Sequence, residues 1–330
     1  MRGTGMNKAI KYKSTIAKWI TGFIDEKKAL GYKYYSESKW MSQFDAYWID
    51  HGYEETGLTP ENLSGWVKKR DTEGEKCLAA RISVIRQFSI YLNGLGISSY
   101  YPPIEVRPPK PVIHLPAGDE IAELFVEIDH YTPRKGNADV RRMSNEYPVL
   151  FRLIYLNGLR ASEARLLSMD DVDPYAGTIV ILDGKGNRDR IVYLSDDLTK
   201  LCREYISYLT AELGRKPSWV FPGIDPDKPV SYGSISSMFR RCWMNTSFAS
   251  GCDRNPTTHC LRHAYVVKRI NLWREQGLDF EHMLPYLSRF LGHKSFNDTY
   301  YYYHYVEEAA QTIRKRDTVT GRVIPEVMRR

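Results

Sequence analysis

The chain has 330 residues, 42% of them apolar and 26% charged, with 23 glycines and 17 prolines. These proportions exclude a disordered, collagen-like or low-complexity protein and suit one or two globular domains. No run of about 18 apolar residues occurs, and residues 1–14 lack the apolar stretch of a secretory signal, so a cytoplasmic protein outside the membrane is expected. The net charge of +7 fits a polyanionic partner, although many basic proteins bind none. Cys77, Cys202, Cys242, Cys252 and Cys260 are odd in number and include no C-x-x-C pair, which argues against a disulfide framework and a zinc ribbon alike and leaves reduced, mostly buried thiols.

From the N-terminus, four helices are expected: Ser14 to Leu30, closed by Gly31; Tyr34 to Ile49, closed near Gly52; Pro60 to Arg70, opened by Thr59; and Glu75 to Asn93, closed by Gly94. In the fourth, Leu78, Ile82, Ile85, Phe88 and Leu92 make one apolar stripe while Lys76, Ser83 and Gln87 fall on the opposite side. That opposite face reads equally as a DNA contact or a solvated surface. The 17 basic against 12 acidic residues up to Val112 are compatible with a grip on phosphate.

Five prolines between Tyr101 and Pro111 forbid helix and form a semi-rigid connector. The expected organisation is therefore an α-helical domain at residues 1–100, a linker at 101–116 and a second domain at 117–330. Beyond the linker, Tyr147 to Asn157 and Ser162 to Ser168 read as helices on either side of Gly158 and Leu159. Thr178 to Leu182 and Arg190 to Leu194 read as two strands of a hairpin, with Lys185 at the tip of the turn Asp183 to Asp189. Helices follow at Thr199 to Leu213, Ser231 to Trp243, Cys260 to Glu275, Phe280 to Phe290 and Thr299 to Arg314. The fold class is mainly α with a small antiparallel β-sheet in the C-terminal domain.

Four local patterns carry candidate chemistry: Asn157 to Glu163 (N-G-L-R-A-S-E), Gly184 to Arg190 (G-K-G-N-R-D-R), His259 to His263 (H-C-L-R-H) and Leu291 to His293 (L-G-H) with the tyrosines after it. Taken singly, Arg160 suits a surface ion pair with Glu163, Lys185 an exposed turn and His259 a capping or core histidine. His259 and His263 stand at the i, i+4 spacing of a zinc protease, but Cys260 occupies the place of its glutamate, so no metal is expected. No Walker loop or dinucleotide fingerprint is present, and no cofactor is expected.

In order and spacing the four patterns resemble the tyrosine recombinase (phage integrase) family, and among its members the mobile-element and transposon integrases. The resemblance covers most of the chain. It implies a two-domain clamp on double-stranded DNA, with a core-binding domain followed by a catalytic domain whose tail spans about residues 306–330. It assigns catalytic roles to Arg160, Lys185, His259, Arg262 and His293, and makes Tyr302, nine positions after His293, the nucleophile that forms a 3′-phosphotyrosyl link. Tyr300, Tyr301, Tyr303 and Tyr305 compete for that role by proximity, but neighbours on a helix diverge by about 100°. Two forked guanidiniums suit the charge that gathers on a phosphodiester under attack, the histidines can hydrogen-bond or move a proton near neutral pH, and the cations favour a forming phenolate. Lys185 would protonate the departing 5′ oxygen.

Further DNA contacts are expected from Lys76, Ser83, Gln87, Arg188 and Arg190. The implied assembly is a homotetramer on DNA, with the apolar tail near Ile324 to Met328 docked in trans or folded back in cis, and with an accessory DNA-bending or directionality factor. The expected setting is the nucleoid, and the expected task is integration and excision of a mobile element. An Xer-type resolvase, a non-enzymatic DNA-binding protein of the same fold and a type IB topoisomerase are the alternatives.

Overall fold

A computed structural model describes residues 10–105, 114–116, 118–133, 138–182, 189–293, 295–300 and 302. The chain divides after Pro111, within the proline-rich segment, into units Met1–Pro111 and Val112–Arg330.

The first unit holds helices α1 (Ala17–Ala29), α2 (Tyr35–Asp50), α3 (Pro60–Val67) and α4 (Glu75–Gly94). Gly31 leaves α1 in a left-handed conformation, at φ 85°, the geometry that glycine adopts at least cost. Thr59 opens α3: its side chain accepts from the Asn62 amide at 3.2 Å, and Asn62 Oδ1 accepts from the Thr59 amide at 2.9 Å, so two otherwise unpaired amides are satisfied reciprocally. Phe23, Phe44, Trp48, Trp66, Ile85, Phe88 and Leu92 form the core where these helices meet. Arg81 of α4 is buried among them and paired with Glu73 at 2.6 Å. Lys76 and Gln87 are exposed and Ser83 half-buried on the other side of α4.

The second unit is helical around one small sheet. Its helices are α5 (Asp119–Asp129), α6 (Ala138–Asn157), α7 (Ala161–Arg165), α8 (Asp196–Leu213), α9 (Tyr232–Asn245), α10 (Thr258–Glu275) and α11 (Phe280–Leu291). The strands β1 (Val172–Asp173), β2 (Thr178–Ile181) and β3 (Arg190–Tyr193) form an antiparallel sheet in the order β1-β2-β3. Pairing of Thr178 with Tyr193 and of Ile181 with Arg190 turns Ile179, Ile181 and Val192 into the core, as the two-residue period of a strand requires. Helix α6 packs against α8 and α10, and α5 against α9. The expected fold class is thus found: mainly α, with a small antiparallel sheet in the second unit.

Three local readings need correction. Helix α6 starts at Ala138 and not at Tyr147, because Arg142 and Glu146 do not belong to a solvated loop. They form a buried ion pair, and Arg142 also donates to the Gly223 carbonyl. Pro148 lies inside that helix. Helix α5 and strand β1 were not anticipated. Among the cysteines, Cys202, Cys242 and Cys260 are buried, whereas Cys77 is exposed. No helix among the described residues is long and apolar enough to cross a membrane.

Candidate active site

The chain leaves α6 through Gly158, which has φ +62° and stands so close to α10 that a Cβ would lie 2.6 Å from Tyr265 Cδ1. Conformation and space both demand glycine there. The next turn buries Leu159 and presents Arg160 immediately before α7. Glu163, one turn on, reaches back so that its carboxylate accepts from the Arg160 backbone amide at 2.9 Å and from the Arg160 guanidinium at 2.6 Å. The same carboxylate takes two bonds from Arg190 at the start of β3, at 2.7 and 3.1 Å. Burial alone would raise the pKa of Glu163, but the hydrogen bonds and charges of Arg190 and Arg160 hold it at about 2. One carboxylate therefore fixes two arginines from distant parts of the chain.

Arg262, on α10, is 1% exposed. It donates to the Gly158 carbonyl at 2.6 Å, to the Leu291 carbonyl at 2.8 Å and to His293 Nε2 at 2.9 Å. Burial and, next, the charge of Arg160 pull its pKa down to about 10, so it remains a cation. A guanidinium only donates, so His293 Nε2 accepts, and Nδ1 then carries the proton and donates to Thr299 Oγ1 at 2.7 Å. Burial and the charges of Arg262, Arg160 and Arg190 lower His293 to about 3, which keeps it neutral. Gly292, at φ +64°, ends α11 in a left-handed turn, and its carbonyl accepts from Arg160 at 3.2 Å.

Tyr302 is 4% exposed, its ring parallel to that of His293 with centroids 6.2 Å apart. Its hydroxyl lies 2.8 Å from His263 Nδ1. Tyr300 points elsewhere, with its hydroxyl 3.4 Å from Glu281. Tyr301, Tyr303 and Tyr305 lie outside the described residues, as do Lys185, Arg188 and the tail.

The structure thus brings Arg160, Arg262, His293 and Tyr302 into one network. His259 is exposed and stands edge-on to His263, with ring centroids 4.4 Å apart. Arg190, expected among the DNA contacts, instead has a side chain only 7% exposed and committed to Glu163. Glu163 and His263 were absent from the expected site. Their signal was present in the motifs themselves, since Glu163 ends N-G-L-R-A-S-E and His263 ends H-C-L-R-H.

Comparison with known proteins places this arrangement. Residues 136–308 match the phage integrase family. The tyrosine recombinase XerD of Staphylococcus saprophyticus is 27% identical over 231 residues, covering 69% of this chain and 72% of that protein. Among solved structures, the XerH site-specific recombinase bound to its difH substrate superposes with a TM-score of 0.60 at 18% identity, over 91% of this chain and 84% of that one. The Tn1549 transposon integrase, in complex with a circular intermediate DNA, gives a TM-score of 0.59 at 12% identity, over 86% of this chain and 94% of that one. At these identities the solved structures speak for the fold, and the family match speaks for descent: the chain belongs to the phage integrase family and is a tyrosine site-specific recombinase.

Proposed function

We propose that this recombinase cleaves one strand of double-stranded DNA with Tyr302, holds the broken end as a 3′-phosphotyrosyl link and rejoins it to another duplex, in the integration and excision of a mobile element. The observation that carries this reading is the network in which the ring of Tyr302 stacks with His293, His293 accepts from buried Arg262, and Arg160 donates to the adjoining Gly292 carbonyl. Phosphoryl transfer of this kind asks for positioning and for preorganised positive charge on the non-bridging oxygens. Arg160 and Arg262 supply fixed forks for that purpose. The bond energy is conserved in the Tyr302 ester, so neither a nucleotide nor a cofactor has a part in the proposal.

Lys185, in the stretch of sequence between β2 and β3, is the proposed donor of a proton to the departing 5′ oxygen, and His259 a further hydrogen-bonding group. The outward residues Lys76, Ser83 and Gln87 of α4, with Arg188, are proposed to touch the DNA. Exchange between two duplexes requires four such active sites, which supports a homotetramer on DNA, assisted by an accessory bending or directionality factor and working at the nucleoid. The likeness to XerD favours one second reading, resolution of replicon dimers at an Xer-type site by the same chemistry. Recombination assayed on the DNA flanking the source gene against an Xer-type site distinguishes the two.

The test of the chemistry is Tyr302→Phe on a nicked suicide substrate. The variant is expected to bind DNA as the unaltered chain does and to trap none of it covalently, since the ring stays and the attacking oxygen is gone. Covalent trapping by Tyr302→Phe would refute the assignment.

A further inference from the structure

We infer that His263 is a further catalytic residue, the base that takes the phenolic proton of Tyr302 as the tyrosine oxygen attacks phosphorus. The inference rests on Tyr302 being the nucleophile. His263 Nδ1 lies 2.8 Å from Tyr302 Oη, within reach of direct proton transfer, and the two rings pack with centroids 5.1 Å apart. His263 is 8% and Tyr302 4% exposed, so bulk water does not compete at this contact. With the ring proton on Nε2, the Tyr302 O–H donates and His263 Nδ1 accepts, and this is the tautomer that the inference assigns.

The other histidines are placed differently. His293 has its accepting nitrogen engaged by the Arg262 guanidinium and its protonated nitrogen on Thr299. His259 is exposed and meets the His263 ring edge-on. His263 alone of the three has a ring nitrogen hydrogen-bonded to the reacting hydroxyl among the contacts described above.

His263 is faced on its own helix by His259 and Arg262, and from the segment after α11 by His293 and Tyr302. Burial first, and then the Arg262 guanidinium and the neighbouring rings of His259 and His293, hold it at about 3, so it is unprotonated near neutral pH. The same environment makes it a weak base until substrate arrives. A phosphodiester brings negative charge among Arg160, Arg262 and His293, and that charge offsets the repulsion at the moment the proton moves. In the step, the Tyr302 Oη–P bond forms and the P–O5′ bond breaks. The phenolic proton passes to His263 Nδ1, and the 5′ oxygen leaves with a proton from the general acid proposed above, Lys185. Rejoining runs the step backwards: the proton on Nδ1 returns to Tyr302 as the ester is broken.

The experiment compares His263→Asn with the unaltered chain on pre-bound nicked suicide substrate. Asparagine places an acceptor near the position of Nδ1 but cannot hold the proton. With DNA affinity unchanged, cleavage is expected to fall about 100-fold or more, and the residual rate to climb with pH as the phenol ionises on its own. A fluorinated tyrosine at position 302, whose ring withdraws electrons and acidifies the phenol, should restore much of that loss at neutral pH. Cleavage by His263→Asn within about threefold of the unaltered chain, or a loss constant with pH and not restored by fluorotyrosine, overturns the inference and leaves His263 a packing residue. A measurement on the unaltered chain does not depend on the variant folding. Its cleavage rate should be flat from about pH 6 to 9, and a rise of about tenfold per unit there, as for an unassisted phenol, would count against the base. Tyr302→Phe run alongside separates the two readings. An adduct persisting in that variant overturns the nucleophile assignment and this inference with it, whereas its loss beside an unimpaired His263→Asn overturns this inference alone.

Discussion

Glu163→Gln removes the negative charge that, among the described residues, lies between Arg160, Arg190 and Arg262. The carboxylate accepts two bonds from Arg190 and one from the Arg160 guanidinium, lies 3.9 Å from Arg262, and is 6% exposed. Its pKa of about 2, against an ordinary 4.5, means that the folded protein favours the ionised form by about 3 kcal/mol, at 1.36 kcal/mol per pKa unit. Removal of one partner from a buried ion pair costs roughly the same, 3–5 kcal/mol. Glutamine keeps the shape but leaves three guanidiniums without a counter-charge and turns an NH2 towards them. The pKa is depressed in the folded state, so the stabilisation is fully present above about pH 4.5 and is lost as pH falls towards 2. Urea titrations of the unaltered chain and the variant at pH 7 should therefore separate by about 3 kcal/mol in the transition of the second unit, with a melting point lower by about 6–12 °C. At pH 3 the gap should shrink to under half. A gap below about 0.5 kcal/mol at pH 7, or one that does not shrink in acid, would refute the claim that Glu163 works as an ionised clamp.

Gly158→Ala should cost about 2–4 kcal/mol in a denaturant titration, because a left-handed backbone and a close approach to Tyr265 act together, and it should depress cleavage further by displacing the carbonyl that holds Arg262. Cleavage of pre-bound DNA should persist in excess EDTA, since side-chain cations stand where a two-metal nuclease keeps its ions, while DNA affinity falls steeply with salt in a filter-binding or polarisation assay. Lys185→Ala should cleave a substrate with sulfur at the 5′ bridging position far better than its oxygen counterpart, because a thiolate leaves without a proton; equal defects on both would make Lys185 a DNA contact only.

The legibility of this molecule in its sequence followed side-chain polarity. The stripe of Leu78, Ile82, Ile85, Phe88 and Leu92 in α4 is buried as its spacing indicates, and the hairpin strands fall within a residue or two of where alternation and turn residues put them. The misreadings cluster where charge is buried. The run Arg141 to Glu146 looks like solvent-facing loop, yet Arg142 and Glu146 bond to each other inside the unit; their i, i+4 spacing is local, but their burial is not, because one of its supports, Gly223, is 81 positions from Arg142. Arg160 and Glu163 illustrate the same limit from the other side. Their ion pair was legible from an i, i+3 spacing, but its burial was not, since that depends on Arg190 arriving from β3. His263 was visible as a motif letter, whereas its contact with Tyr302 depends on a fold that bridges 39 positions.

The three bonds made by Arg262 have a geometric consequence. The turn after α6 and the end of α11 are joined to each other through the width of a single planar group, which touches Gly158 on one side and Leu291 and His293 on the other. The guanidinium is thus a gauge block: its rigid span, together with the bond from Arg160 to the Gly292 carbonyl, sets the gap between the segment that delivers Arg160 and the one that delivers His293. Lysine in its place would keep the charge but not the gauge, being a point charge on a flexible stem. The spacing of the catalytic groups would then follow thermal motion of the two segments, and Arg262→Lys should give a folded, DNA-binding protein whose active site is present but out of adjustment.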